Sequence, residues 1–429
     1  MREGGRSQLW CAIRVAAALA FGAAPGAAAE PGPPAAAGPP VAVAARVEAS
    51  GGITRLVVDL SAAVAVTPVL TEAPDRLVID MPEVNVQLEP AALRLPPGGT
   101  GAIRAFRFGL FAPGRSRLVA DLAGPVAIRR IAVASIAGGP AARLTVELAP
   151  ADRAAFAAAA RRPDPLPSPA PPVPAAGADA RPVVVVDPGH GGLDPGATGL
   201  GGVLEKDVVF RFAAALAARL EAGGRYRIVM TRTGDSFVSL GERVRVAREA
   251  GAALFISIHA DSLPDAAVAG ATVYTASDRA SDAESARVAS TENQADAAAG
   301  VEEAPQAADV SDILSDLTRR ETRTYAHQFQ HTLTGYWAKV ARLNRNPERA
   351  AGFKVLQAPD VPSVLLELGY LSSGQDARAL DAPAWRAKAV ESVAEAVDGF
   401  FAGRGGAVAA GTAPETPGPA AAPGPAAMR

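Results

Sequence analysis

The chain has 429 residues, 49% of them hydrophobic and 20% charged, with a formal net charge of -2. That length accommodates about two domains, and the near-neutral balance gives no basic footprint for nucleic acid, so no nucleic-acid partner is expected. The single cysteine, Cys11, falls in the first 29 residues, so a processed chain holds neither a catalytic thiol nor a structural disulfide.

Residues 1–29 place Arg2, Arg6 and Arg14 around the start of an apolar run at 15–21, followed by Ala27-Ala-Ala29. This is the layout of a secretory signal peptide cleaved before Glu30, which directs the protein to a periplasm. The run is shorter than the roughly 20 residues that cross a bilayer. Leu9-Trp10 before Cys11 does not suit lipoprotein processing, and no membrane span is expected in the mature chain.

Three stretches rich in Pro, Ala and Gly then separate the text: a tether at 30–41, a linker at 151–180 and a disordered tail at 403–429. Residues 42–150 alternate with period two in short runs such as Thr54-Arg-Leu-Val-Val-Asp-Leu60, Arg76-Leu-Val-Ile-Asp80 and Arg117-Leu-Val-Ala-Asp121, with Gly and Pro between them. That predicts a small all-β sandwich domain. An Arg-Leu-Val-x-Asp pattern recurs at Arg55, Arg76 and Arg117, a weak internal repeat, and no reactive cluster appears. This unit is therefore expected to bind or position something.

Residues 181–402 change rhythm. Strands at Val183-Val-Val-Val186, 226–231, 254–259, 270–275, Phe353-Lys-Val-Leu356 and Val364-Leu-Leu-Glu-Leu368 alternate with amphipathic helices from Glu205 and Ser239, and residues 385–401 close the unit as a helix. The prediction is an α/β domain, a mixed sheet flanked by helices, with function at the strand ends.

Those ends carry chemistry. His190 follows the Asp187-Pro-Gly turn that terminates the first strand, His259 ends the apolar run Leu254-Phe-Ile-Ser-Ile-His259, and Glu205 opens the helix running through Val208, Phe212, Leu216 and Leu220. Taken singly, each has a structural explanation: a satisfied histidine at a turn, a hydrogen-bonded histidine at a strand end, a first-turn carboxylate favouring the helix dipole. Together, two imidazoles and a carboxylate leave a coordination position free, as a hydrolytic Zn2+ site requires. Glu367 interrupts a run that is expected to be buried on both faces, where an unpaired carboxylate is costly. It is the candidate acid/base, with a structural ion pair as the alternative. His327 and His331 stand four apart on a helix, but Gln328 fills the place where a zinc protease carries its glutamate. They are read as a solvated face without metal.

By these residues, the second unit resembles the zinc-dependent N-acetylmuramoyl-L-alanine amidases of bacterial cell division. The matching text is Asp187-Pro-Gly-His-Gly-Gly192, Glu205-Lys-Asp207, Thr231-Arg-Thr-Gly-Asp235 with Leu240 and Arg243, Ser257-Ile-His-Ala-Asp261, Ala351-Gly-Phe353 and Pro362-Ser-Val-Leu-Leu-Glu-Leu-Gly369. The resemblance implies His190, Glu205 and His259 as zinc ligands and Glu367 as acid/base. It implies hydrolysis of the amide joining the lactyl group of N-acetylmuramic acid to L-alanine. Residues 42–150 look like the β domain that directs such enzymes to septal peptidoglycan. Ser373 stands where relatives often carry Asn. A zinc peptidase or deacetylase acting on another cell-wall amide, or a non-catalytic peptidoglycan-binding protein, are the alternatives.

An insertion at about 276–342 completes the expectations. Residues 280–299 read as a helix with few large apolar side chains, suited to a movable plug, and Val310, Ile313, Leu314 and Leu317 follow at helical spacing, an apolar face for docking or for a partner. Members of the resembled family carry a helix here that covers the zinc until a division-associated protein activator displaces it. Glu292 is the candidate for the blocking carboxylate, ahead of Glu284 and Glu302; a surface hairpin without a regulatory role is the alternative.

Overall fold

A computed structural model describes residues 38–88, 90–161, 179–301 and 313–408. The expected signal peptide, most of the tether, linker and tail, and Glu302 and Val310 lie outside the described residues.

The first unit is built from β1 (Val41–Ser50), β2 (Ile53–Leu60), β3 (Thr67–Thr71), β4 (Arg76–Pro82), β5 (Asn85–Val86), β6 (Ile103–Ala112), β7 (Arg115–Leu122), β8 (Val126–Ser135) and β9 (Ala142–Pro150). They form two sheets, ordered β5-β1-β2-β9-β8 and β3-β4-β7-β6. Leu56, Val58, Leu60, Leu144 and Val146 from one sheet meet Leu77, Ile79, Phe106, Phe108 and Leu118 from the other, as alternation requires of a sandwich. The Arg-Leu-Val-x-Asp repeat has a physical reason. In the antiparallel pair β4/β7, Arg76 opposes Asp121 and Asp80 opposes Arg117, and in β2/β9 Arg55 opposes Glu147 and Asp59 opposes Arg143. Each repeat thus supplies both halves of cross-strand ion pairs, 2.6 to 2.8 Å long, on the central strands of its sheet.

Helix α1 (Arg153–Ala159) lies within residues expected as linker. Asp152 caps it, accepting from Ala155 N at 2.7 Å, and Phe156 is buried in the sandwich core, so this turn belongs to the β unit.

The second unit runs β10 (Val183–Pro188), α2 (Glu205–Ala222), β11 (Arg227–Met230), α3 (Leu240–Glu249), β12 (Ala252–His259), β13 (Ala271–Ala276), α4 (Ala283–Glu292), α5 (Ala295–Ala298), α6 (Ile313–Trp337), β14 (Leu343–Ala351), β15 (Ser363–Glu367), α7 (Gly374–Asp381) and α8 (Pro383–Val408). The sheet order is β11-β10-β12-β15-β13-β14, parallel throughout except for the antiparallel pair β13/β15. Val184, Val186, Leu254 and Ile256 point to the face covered by α2, α6 and α8, and Val183, Val185 and Phe255 to the face covered by α3 and α4. Both faces are buried, which is why these strands are apolar without alternation. No described helix is long and apolar enough to cross a membrane.

The strand expected at Phe353-Lys-Val-Leu356 is corrected: residues 354–356 form one 3-10 turn, and the strand is β14 just before it. Phe353, Val355 and Leu356 are apolar because all three fill the core under α3. β14 is polar and contains Pro347 because it is an edge strand, paired among the described residues only with β13.

Candidate metal centre

The parallel strands β10 and β12 end side by side, which brings His190, two residues beyond β10, next to His259, the last residue of β12. Their rings meet edge-on with centroids 4.9 Å apart. Glu205 reaches in from the first turn of α2, and Glu292 from the last turn of α4. One donor atom from each of these four buried side chains lies within 4.8 Å of all the others. His190 Nε2 is 3.1 Å from Glu205 Oε1 and 3.5 Å from Glu292 Oε2, and His259 Nδ1 is 3.3 Å and 3.1 Å from the same two oxygens. Zinc bonds of about 2.0–2.2 Å to nitrogen and oxygen put the corners of a tetrahedron roughly 3.3–3.5 Å apart. His190 Nε2 and His259 Nδ1 are moreover buried without a hydrogen-bond partner among the described residues. The donor set fits a zinc ion.

Backbone and side chains around the four fix their aim. His190 Nδ1 faces Asp194 Oδ2 at 2.9 Å, and Asp194 also accepts from Gly196 N at 3.1 Å. Glu205 accepts from Ala260 N and Ala197 N, each at 2.8 Å. Gly196, at φ +64°, is required here: a Cβ would stand 2.6 Å from His190 Cδ2 and 2.7 Å from Glu205 Oε2.

The turn carrying His190 is held by two buried arginines. Arg243 donates to Asp187 at 2.6 Å, to Pro188 O and His190 O at 2.8 Å and to Val238 O at 3.0 Å. Arg232 donates to Pro188 O at 3.0 Å, Gly189 O at 2.9 Å and Lys206 O at 3.0 Å. Asp187 is completed by Thr231 at 2.5 Å and Ser257 at 2.7 Å.

Glu367, the last residue of β15, pairs in register with His259 and is fully buried. Oε2 accepts from Asp261 N at 3.0 Å, while Oε1 has no partner among the described residues. Burial drives its carboxyl well above the usual range, and Asp261, Glu205 and Glu292 add to the rise against the pull of His259. Asp261 is pushed up to about 7 by burial and by Glu205 and Glu292. Burial alone would lower the two imidazoles, but Glu205, Asp194 and Glu292 raise His190 well above its ordinary value, and Glu292 and Glu205 raise His259 to about 10. A pocket with this many carboxylates favours positive charge between the imidazoles, whether protons or a divalent ion.

In the sequence Arg243 and Asp261 stand out only as matching text and Asp194 not at all; its signal is a carboxylate four residues after His190, within reach of its second ring nitrogen. Glu284 is not at this site but pairs with Arg349 at 2.5 Å. His327 lies 3.2 Å from Gln330 Oε1 and His331 lies 3.1 Å from Glu348, both on α6 away from the four.

Residues 184–399 match the N-acetylmuramoyl-L-alanine amidase family and residues 44–156 match the AMIN domain. The amidase AmiC of Escherichia coli is 30% identical over 375 residues, covering 84% of this chain and 89% of its own, and AmiC of Neisseria meningitidis is 32% identical over 374 residues, covering 83% and 89%. Among solved structures, the amidase AmiC2 of Nostoc punctiforme is 27% identical and covers 52% of this chain and 99% of its own at a TM-score of 0.38. On the family match and these relatives, the chain belongs to the N-acetylmuramoyl-L-alanine amidase family, with an AMIN domain ahead of its catalytic domain.

Proposed function

We propose that this amidase cuts the bond between the lactyl carbonyl of N-acetylmuramic acid and the amino group of L-alanine in septal peptidoglycan, using zinc held by His190, Glu205 and His259. The observation that carries the assignment is the spacing of the donor atoms, 3.1 to 3.5 Å from imidazole to carboxylate, with Glu367 against the same pocket. When bound, zinc would supply Lewis-acid polarisation of the carbonyl and acidify water. Asp194 would keep the His190 Nδ1 proton, leaving Nε2 to bind. Glu367 Oε1, buried and without a hydrogen-bond partner among the described residues, takes a proton from the attacking water as its oxygen joins the carbonyl carbon. The same carboxyl returns that proton to the alanine nitrogen as the C–N bond breaks, leaving a lactyl carboxylate and a free stem peptide.

Glu292 would occupy the fourth corner in a resting enzyme, so α4 and α5 act as a plug that a protein activator of cell division displaces. The mature protein would work in the periplasm, with the AMIN domain holding it to peptidoglycan. The test is zinc content with digestion of purified sacculi. The parent should bind one zinc and release peptides beginning with L-alanine, identified by mass spectrometry, while His190→Ala and His259→Ala should each lose both properties. Zinc retained at full stoichiometry by the double variant would overturn the ligand assignment, and products other than such peptides the reaction.

A further inference from the structure

We infer that the AMIN domain is the seat of the plug: its β4-β7-β6 face clamps the far end of α4–α5, so moving that domain releases Glu292. The inference rests on the reading of α4–α5 as an inhibitory plug.

The face is built for the contact. Leu77, Ile79, Leu118 and Ala120 point into the sandwich, whereas Val78 and Val119, opposite each other in register, point outward and are nonetheless fully buried. What buries them is Ala299, immediately after α5, together with Phe111, Leu193 and Phe237, with Val301 packed alongside. Gly300, at φ +69°, passes so close that a Cβ on it would stand 3.2 Å from Val78 Cγ2 and 3.6 Å from Val119 Cγ2. Arg117, held by Asp80 at 2.6 and 2.8 Å, lies over the Phe111 ring at 3.7 Å and donates to Ala299 O at 3.4 Å. Within the catalytic domain, Asp296 of α5 accepts from Leu240 N at 2.8 Å, and Asn293 bonds Gly352 O and Lys354 N at 2.8 Å each. Just beyond Glu292 the chain is therefore fastened twice, to the catalytic domain through Asn293 and Asp296 and to the AMIN sheet through Ala299 and Gly300.

The same sheet touches the other side of the metal pocket. Leu110 O accepts from Phe237 N at 3.3 Å, and a Cβ on Gly192, two residues after His190, would lie 1.8 Å from that oxygen. Beside this contact the joint opens into a cavity of about 560 Å³ lined by Phe106, Arg107, Leu193 and Lys206 among others. The packed part of the joint includes the plug end, the histidine loop and Phe237, which stacks on Phe111 with ring centroids 5.6 Å apart, so a pull on the AMIN domain would act on the plug and on the loop that carries His190.

Two measurements on a Cys11→Ser chain test this. Val78→Asp puts a charge into the packed seat, and should raise basal hydrolysis of peptidoglycan at least tenfold without a partner and abolish hydrogen-exchange protection over residues 283–298. In a chain that keeps Glu292, Val78→Cys with Gly300→Cys loosens the seat when reduced and should raise hydrolysis, and on oxidation the crosslink should return hydrolysis to the parent level, with reductant restoring the rise. If Glu292→Ala alone raises nothing, the plug reading fails. If Glu292→Ala is active but the crosslink does not form, or forms without lowering hydrolysis, or Val78→Asp leaves protection intact, the clamp is overturned.

Discussion

Arg243→Met should be among the most damaging single changes that touch neither the proposed zinc ligands nor Glu367. Arg243 and Asp187 are both buried, and the substitution leaves the Asp187 carboxylate without its countercharge while stripping donors from Pro188 O, His190 O and Val238 O. Breaking a buried pair from one side costs about 3–5 kcal/mol. Asp187 keeps its hydrogen bonds from Thr231 and Ser257, and Pro188 O keeps one from Arg232, so the lower end, about 3 kcal/mol, is expected. For a unit of this size, about 2–4 °C per kcal/mol translates that into a fall in Tm of roughly 6–12 °C. The pH dependence has a definite sign. Burial pushes Asp187 up, but Arg243, Thr231 and Ser257 together hold it below its ordinary value. In the parent, its ionisation contributes stability that is present above the unfolded carboxylate range near about 3.9 and is lost as pH falls through the lower folded value. In the variant the same carboxyl rises and protonates sooner, so the gap between parent and variant should be widest near pH 8 and narrow towards pH 5. Thermal unfolding followed by circular dichroism at both pH values, with and without chelator, reads this, and Asp187→Asn with Arg243→Met should lose less than the sum of the two. A variant within 1 kcal/mol of the parent, or a gap independent of pH, would refute the account of the His190 turn.

Asp194→Ala should weaken zinc binding by about 10–100-fold, as loss of a partner to a ligating imidazole does; an unchanged affinity in a chelator competition would reject its role. Glu367→Gln should keep zinc and lower kcat by at least about 10²-fold with little change in KM; loss of the metal instead would make it a ligand rather than an acid/base. His327→Ala with His331→Ala should change neither zinc stoichiometry nor hydrolysis, and a drop in stoichiometry would reopen α6 as a metal site.

The positions of His190, Glu205 and His259 were legible because each stands where a period breaks: the end of an apolar strand, or the first turn of an amphipathic helix. Parallel strands then must bring their ends to one edge, so linear text carries the proximity of His190, His259 and Glu367. The network that holds the site was harder to read, since Asp187, Thr231, Ser257 and Arg243 come from three strand ends and one helix and only the fold aligns them. β14 escaped notice for the opposite reason: an edge strand needs no apolar pattern, while Phe353, Val355 and Leu356 imitate a strand because a turn can also fill a core.

The two sheets of the AMIN domain offer an internal comparison for the docking face. Both carry the same central ladder, an ion pair, an intervening pair and a second ion pair: Arg76/Asp121, Val78/Val119 and Asp80/Arg117 in one, Arg55/Glu147, Val57/Thr145 and Asp59/Arg143 in the other. In the sheet against the catalytic domain the middle pair is wholly apolar, and the Arg117 side chain is 2% exposed. In the other sheet Thr145 takes one place, and Arg143, which plays the part of Arg117, is 42% exposed. Runs of Leu-Val-Ile or Leu-Val-Ala do not by themselves separate these cases, because Val57 is buried beneath its own ladder too. The difference lies in what opposes the middle residue. A threonine there tolerates water, whereas two opposed valines make an apolar strip whose burial is favourable, and Ala299, at the end of the segment carrying Glu292, covers it together with Phe111, Leu193 and Phe237.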